Sequence, residues 1–250
     1  MKLQLIRHST LILNVNNKKI LIDPMLSPKG LMDPIPDVPN QSQNPLVDLP
    51  INIDDIINCD AVLLTHTHRD HFDDVASELL SKDIPMFCQP EDKEKLIALG
   101  FNDVRPVSHT CSFDEITITR TKGKHGHGII AMKMAPVSGY VITCKDEPSV
   151  YVAGDTVWCC EVKKVMYTYK PEIIVCNSGS AQFKVGRPIT MNSSDLHKLS
   201  KKYPSTTVVA VHMEAWNHCR ISRKALKNFI STKEIKSKIY IPDDGEILSF

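Results

Sequence analysis

The apolar positions of this chain fall into short runs with two different periods. Near the amino end, residues 3–15 and 19–23 are β-rich runs, and Asn16-Asn17 between them supplies the positive-φ turn of a hairpin. From Asp60 onward, strand-like and helix-like segments take turns. Strands are predicted at 61–64, 84–88, 116–121, 138–144, 150–153, 173–176, 207–211 and 238–241. Helices are predicted at 73–81, 91–99, 161–169, 194–203 and 222–230, with Leu96 and Leu99 at helical spacing in the second. Strand clusters interleaved with helices imply an α/β (α+β) fold, with two β-sheets packed together and helices outside. The two halves look alike: each opens with a hairpin leading to an aspartate, Asp23 or Asp155, and continues as strand–helix units.

One stretch breaks the pattern. Residues 24–50 hold seven of the sixteen prolines and show no apolar period. Loops of that length in a compact domain are usually functional covers or else disordered. An ordered loop covering a site is the expectation.

Length and charge narrow the class. The 250 residues, 42% hydrophobic, are enough for one core-forming domain over 1–250. Lys plus Arg is 30 against Asp plus Glu at 29, so a formal charge of +1 argues against a nucleic-acid binder. The start, Met1-Lys2-Leu3-Gln4-Leu5, reads as a strand and not as a signal peptide. No apolar run approaches the roughly 18 residues of a membrane span. A soluble, cytoplasmic protein is expected, and a homo-oligomer is compatible with everything here. The eight cysteines include no CxxC pair, and several, such as Cys176, lie in apolar runs. They read as reduced core thiols, with Cys159-Cys160 an incidental neighbour pair.

The chemistry concentrates after the run Ala61-Val62-Leu63-Leu64. His66-Thr67-His68-Arg69-Asp70-His71 places three imidazoles and a carboxylate at one strand end. Packing offers no reason to gather such groups there, since buried polar groups without partners cost free energy. Imidazole and carboxylate together suit Zn²⁺, Mn²⁺ or Fe²⁺.

These residues resemble the HxHxDH signature of the metallo-β-lactamase superfamily. Flanking elements fall in its order: Leu21-Ile22-Asp23-Pro24, a lone histidine at Lys124-His125-Gly126, Ala153-Gly154-Asp155-Thr156, and Val211-His212 after a strand. The resemblance spans nearly the whole chain and is nearest to the ascorbate-6-phosphate lactonase-like metal-dependent hydrolases. It implies a four-layer αββα sandwich and two divalent ions, zinc first, with manganese or iron as alternatives. It also implies that His66, His68 and His125 hold the first ion. Asp70, His71 and His212 would hold the second, with Asp155 bridging. Seven donors are too many for one tetrahedral site, which supports two ions independently.

Several positions carry a second reading. His127 competes with His125, and His212 could be a satisfied core histidine. Asp23 is expected to orient a ligand histidine or the signature loop, its plainer role being a turn residue before Pro24. His8, Asn177 and His218 are placed beside the site, as supports or substrate contacts. His109 and His197 read as surface residues, and Gly154 as a point of close backbone approach to the ions.

The expected chemistry is hydrolysis of a small ester, lactone or phosphoester by a hydroxide bridging the two ions. Asp70 and Asp155 would also position the attacking water. The substrate is a small molecule, and an anionic group on it could meet Lys122, Lys124 or Arg187. A phosphodiesterase or nuclease-like activity is the alternative, and a non-catalytic metal scaffold the rival of another class. Redox chemistry is disfavoured because Asp70-His71 follow His68, where the oxygen-reducing members carry HxExD.

Overall fold

The computed structural model describes residues 1–233, 235 and 237–250. Two seven-stranded sheets form its centre. The first takes β1 (Lys2–Arg7), β2 (Thr10–Val15), β3 (Lys18–Ile22), β4 (Ala61–Leu63), β5 (Met86–Cys88) and β6 (Val104–Pro106). The second takes β7 (Thr110–Phe113), β8 (Ile116–Lys122), β9 (Ser138–Thr143), β10 (Val150–Val152), β11 (Ile173–Asn177), β12 (Thr207–Val211) and β13 (Ile239–Tyr240). β14 (Ile247–Ser249) then returns to pair with β1 at the edge of the first sheet.

The same plan is used twice. β1–β2–β3 is an antiparallel meander, after which β4, β5 and β6 add in parallel. β7–β8–β9–β10 is antiparallel, after which β11, β12 and β13 add in parallel. The likeness of the two halves is therefore a likeness of topology.

Strand alternation explains the layers. Leu11, Leu13, Ile20 and Ile22 face Ile116, Ile118, Val150 and Val152 across the space between the sheets. Their neighbours Ile12 and Leu21 point the other way, against α1 (Ile53–Ile57), α2 (Asp74–Leu79) and α3 (Lys93–Ala98). On the far side Val141, Tyr151 and Ile174 meet α5 (Cys160–Tyr169), α6 (Ser193–Lys202) and α7 (Arg223–Ser231). Both faces of each sheet are buried, so the strands read as near-continuous apolar runs. The result is the expected αββα sandwich. A seventh helix, α4 (Gly128–Lys133), lies in the β8–β9 connection and has no buried residue.

The structure departs from the sequence reading in local ways. The run 3–15 is not continuous: it turns at His8-Ser9, where His8 takes φ 60. Asn16 and Asn17 (φ 47 and 58) make the next hairpin, as expected. The short elements α1, α4, β6, β7 and β14 were not predicted, because three to six residues carry too little periodicity to register.

Residues 24–50 form an ordered loop with one isolated bridge, Met32 to Asn44. It is sewn down by polar side chains. The Arg7 guanidinium, fully enclosed, donates to the carbonyls of Met25, Ser27 and Val47 at 2.8–2.9 Å. Asn217 exchanges hydrogen bonds with Asn44 and Ile35 and donates to the Asn40 carbonyl. Among the described residues, no helix is long and apolar enough to cross a membrane.

Candidate metal centre

Every predicted ligand comes from a strand end on the same rim of the sandwich. β4 ends at Leu63 and delivers the signature loop. β8 ends at Lys122 and leads to His125. β10 leads to Asp155, β11 ends at Asn177, and β12 leads to His212. The two sheets thus converge their parallel and antiparallel strands on one polar site.

Two groups of donors hold the predicted ligands, beside a third made of His8, His212 and Cys219. His66, His68 and His125 have ligand atoms within 4.8 Å of one another, and so do Asp70, His71, Asp155 and His212. Asp155 straddles them. Its Oδ2 lies 3.2 Å from His125 Nε2, and its Oδ1 lies 3.4 Å from both His71 Nε2 and His212 Nε2. His127 stays out of both groups; it is half-buried at the N-cap of α4.

The supports act on the opposite ring nitrogens. Asp23, 1% exposed, has Oδ1 accepting from the Thr65 backbone N–H at 2.7 Å and Oδ2 accepting from Thr65 Oγ1 at 2.7 Å. Asp23 Oδ2 also lies 2.8 Å from His71 Nδ1. His125 Nδ1 is 2.9 Å from the Ile189 carbonyl, which can only accept, so Nδ1 carries a proton and Nε2 is the nitrogen turned toward Asp155 Oδ2. His66 Nδ1 meets Thr65 Oγ1 at 3.0 Å, and His212 Nδ1 meets Cys219 Sγ at 3.5 Å. Asn177 Nδ2 donates to Asp155 Oδ1 at 2.7 Å. Metal-bound imidazoles need this kind of orientation. Thr65 heads the signature stretch but has no role assigned from the sequence, and nothing local to Ile189 or Cys219 marks theirs.

His8 and His218 also belong here. His8 Nε2 approaches Asp70 Oδ2 to 3.3 Å, and its ring lies 3.6 Å from that of His212. His218 Nε2 is 3.8 Å from the same oxygen and only 5% exposed. Lys122, Lys124 and Arg187 are exposed side chains, His109 is exposed and His197 is half-buried. Gly154 differs from expectation in what it approaches. A Cβ there would meet the Ser138 carbonyl at 2.5 Å and Thr65 at 3.2 Å, so the missing side chain lets β10 close on β9 and the signature loop.

The electrostatics suit cations. Burial alone would raise the two carboxyls, yet His71, His212 and their neighbours hold both Asp70 and Asp155 well below the usual carboxylate range. Burial pulls His66 well below its ordinary value and lowers His68. For His71 burial also pulls down, but Asp155, Asp23 and Asp70 outweigh it and push the imidazole up to about 10. His212 is raised against burial in the same way, chiefly by Asp155. His71 Nε2, His212 Nε2 and Asp155 Oδ2 are buried and have no hydrogen-bond partner. Orphaned buried donors and acceptors call for an explanation, and a mixed imidazole–carboxylate set supplies one: these residues fit divalent metal ions.

Comparison with known proteins agrees. Residues 19–213 match the family described as Beta-lactamase superfamily domain, and the chain belongs to that family. It is 42% identical to the UPF0173 protein YddR of Bacillus subtilis (strain 168), covering 100% of both chains. It is 24% identical to a UPF0173 metal-dependent hydrolase of Pyrococcus furiosus, over 93% of this chain and 92% of that one. Among solved structures it superposes on an isothiocyanate hydrolase from Delia radicum gut bacteria with a TM-score of 0.96. Identity there is 39%, covering 100% of this chain and 99% of that one. A possible metal-dependent hydrolase from Veillonella parvula DSM 2008 also gives 0.96, at 36% identity and the same coverage.

Proposed function

We propose that this chain is a dinuclear metal-dependent hydrolase that adds water to a small electrophilic carbon, an isothiocyanate being the first substrate class. The observation that carries the two-ion reading is Asp155, which offers one carboxylate oxygen to each donor group. His66, His68 and His125 would hold one cation, and Asp70, His71 and His212 the other. Bound there, divalent cations acidify water and polarise the atom that leaves.

The chain's own residues do the rest. Asp70 and Asp155 accept hydrogen bonds from the attacking water and fix its direction. Asn177 holds Asp155 Oδ1 so that the carboxylate cannot rotate. Asp23 and Thr65 keep the signature loop and the His71 ring in place. His8 Nε2 donates to Asp70 Oδ2 and steadies it, while His218, beside the same oxygen, offers a donor to a substrate heteroatom. An isothiocyanate places its carbon between nitrogen and sulfur; adding one water gives a primary amine and carbonyl sulfide. The carbon of a lactone or carboxylic ester is open to the same attack, which keeps that class in second place. The likeness to an isothiocyanate hydrolase over the full length supports the order. The loop 24–50, tied to Asn217 next to His218, is read as the cover over this site.

The test is reconstitution. Chelator-stripped protein is reloaded with Zn²⁺, Mn²⁺ or Fe²⁺ and offered isothiocyanates, lactones, esters and a phosphodiester. Metal-dependent release of amine from an isothiocyanate is the expected result. Two tightly held cations with no turnover on any substrate would support the scaffold reading instead.

A further inference from the structure

Among the described residues, ten large hydrophobic side chains are exposed, including Leu31 in the Pro-rich loop, Ile129 and Met132 on α4, and Val185 in the turn before Ile189. Ile129 and Met132 are 72% and 78% exposed, one helical turn apart on α4. Lys122 pairs with Ser138 across the β8–β9 ladder, so residues 123–137 leave and rejoin the sheet at the strand end that carries His125.

The neighbouring contacts keep α4 at the site. His125 leads into Gly126, where a Cβ would meet Ile189 at 3.0 Å and Ile130 at 3.3 Å. The Ile189 carbonyl in turn orients His125. Val185, 87% exposed, is in the same turn, which is closed by Gln182 Nε2 donating to the Gly186 carbonyl at 2.7 Å. Lys184 N–H then donates to the Asp37 carbonyl of the Pro-rich loop at 2.6 Å. Exposing Ile and Met costs hydration free energy, and such patches mark binding sites.

We infer that α4 and the 182–189 turn form an apolar mouth that receives the hydrocarbon substituent of the substrate, with Ile129 and Met132 setting specificity. The inference rests on the metal-centre reading and extends it from the reacting carbon to the rest of the substrate. A second copy of the chain is the lesser fit, because four separate side chains fall far short of the roughly 800 Å² per partner of a stable interface.

The test is calorimetric titration of metal-loaded protein with n-alkyl carboxylates from acetate to hexanoate, whose head group ligates divalent cations whatever the natural substrate. Wild type should tighten by about 2- to 4-fold per methylene, the upper figure being full burial of each CH₂. The surface double variant Ile129→Ser/Met132→Ser should bind acetate as wild type does but lose most of the chain-length dependence. A flat series in wild type, or an equal loss for acetate and hexanoate in the variant, overturns the mouth while leaving the metal centre standing. A change of sedimentation coefficient from dimer to monomer in the variant also overturns it, in favour of an interface. Wild type that takes up no cations overturns both readings together.

Discussion

Asp23→Asn tests how the metal centre is held. Asp23 Oδ1 takes the Thr65 backbone N–H, a donor with no freedom, so the amide oxygen of Asn must stay there. The NH₂ group then replaces Oδ2 and faces Thr65 Oγ1 and His71 Nδ1. An N–H cannot accept from Nδ1–H. Nδ1 must become the acceptor, which moves the ring proton to Nε2, the atom lying 3.4 Å from Asp155 Oδ1 and 4.0 Å from Asp70 Oδ2. A protonated Nε2 cannot ligate a cation. Loss of such a support typically lowers metal affinity by about 10- to 100-fold, or about 1.4–2.7 kcal/mol. Competition with a chromogenic chelator should show one of two ions weakened to this extent, and the ion on His66, His68 and His125 held within about threefold, a shift of about 0.7 kcal/mol. Both affinities staying at wild-type values would refute the tautomer argument. Equal loss of both would mean that Asp23 supports the fold rather than His71.

Other outcomes follow from the same structure. His68→Ala should lose metal and hydrolysis while keeping a native circular dichroism spectrum; full activity in that variant would void the ligand assignment. Arg7→Ala strips the donors from the buried Met25 and Ser27 carbonyls and the half-buried Val47 carbonyl of the Pro-rich loop, and should destabilise the protein by about 2–4 kcal/mol in denaturant titration, while an unchanged midpoint would show that loop held elsewhere. Shortening residues 24–50 should shift substrate selectivity more than metal content, measured by a substrate panel beside elemental analysis. For the metal-free protein, stability should peak near pH 6.5. Burial lowers His8, His66, His68 and His218, so the unfolded chain binds more protons below 6.5 and acid removes stability. His71 and His212 are raised, so their contribution is complete below 6.5 and is lost as pH climbs toward about 10 for His71. Denaturation midpoints that rise steadily from pH 6.5 to 9 would contradict this.

The sheets and the candidate ligands were legible for different reasons. Strand alternation at Leu11 to Leu13 and Ile20 to Ile22 is written in consecutive residues, and both faces being buried makes the runs unmistakably apolar. The signature loop is equally local, and Asp23, Asp155 and His212 each follow a strand whose end could be seen. What could not be read is the set of contacts made across long sequence separations. His125 is oriented by a carbonyl 64 residues away, and the loop 24–50 is fastened by Asn217 from 177 and 182 residues away. The turn at His8 was missed because a histidine at φ 60 has no side-chain signal of its own; its reason lies in Asp70, 62 residues on. α4 escaped notice because its apolar residues are exposed and lack a buried stripe.

Elemental analysis of the purified protein, read beside its turnover of an isothiocyanate through a chelation and reloading cycle, tests the central claim most directly. Two divalent ions per chain, with hydrolysis abolished on chelation and restored only as the second ion returns, is the predicted result. Hydrolysis that survives complete removal of metal would contradict it.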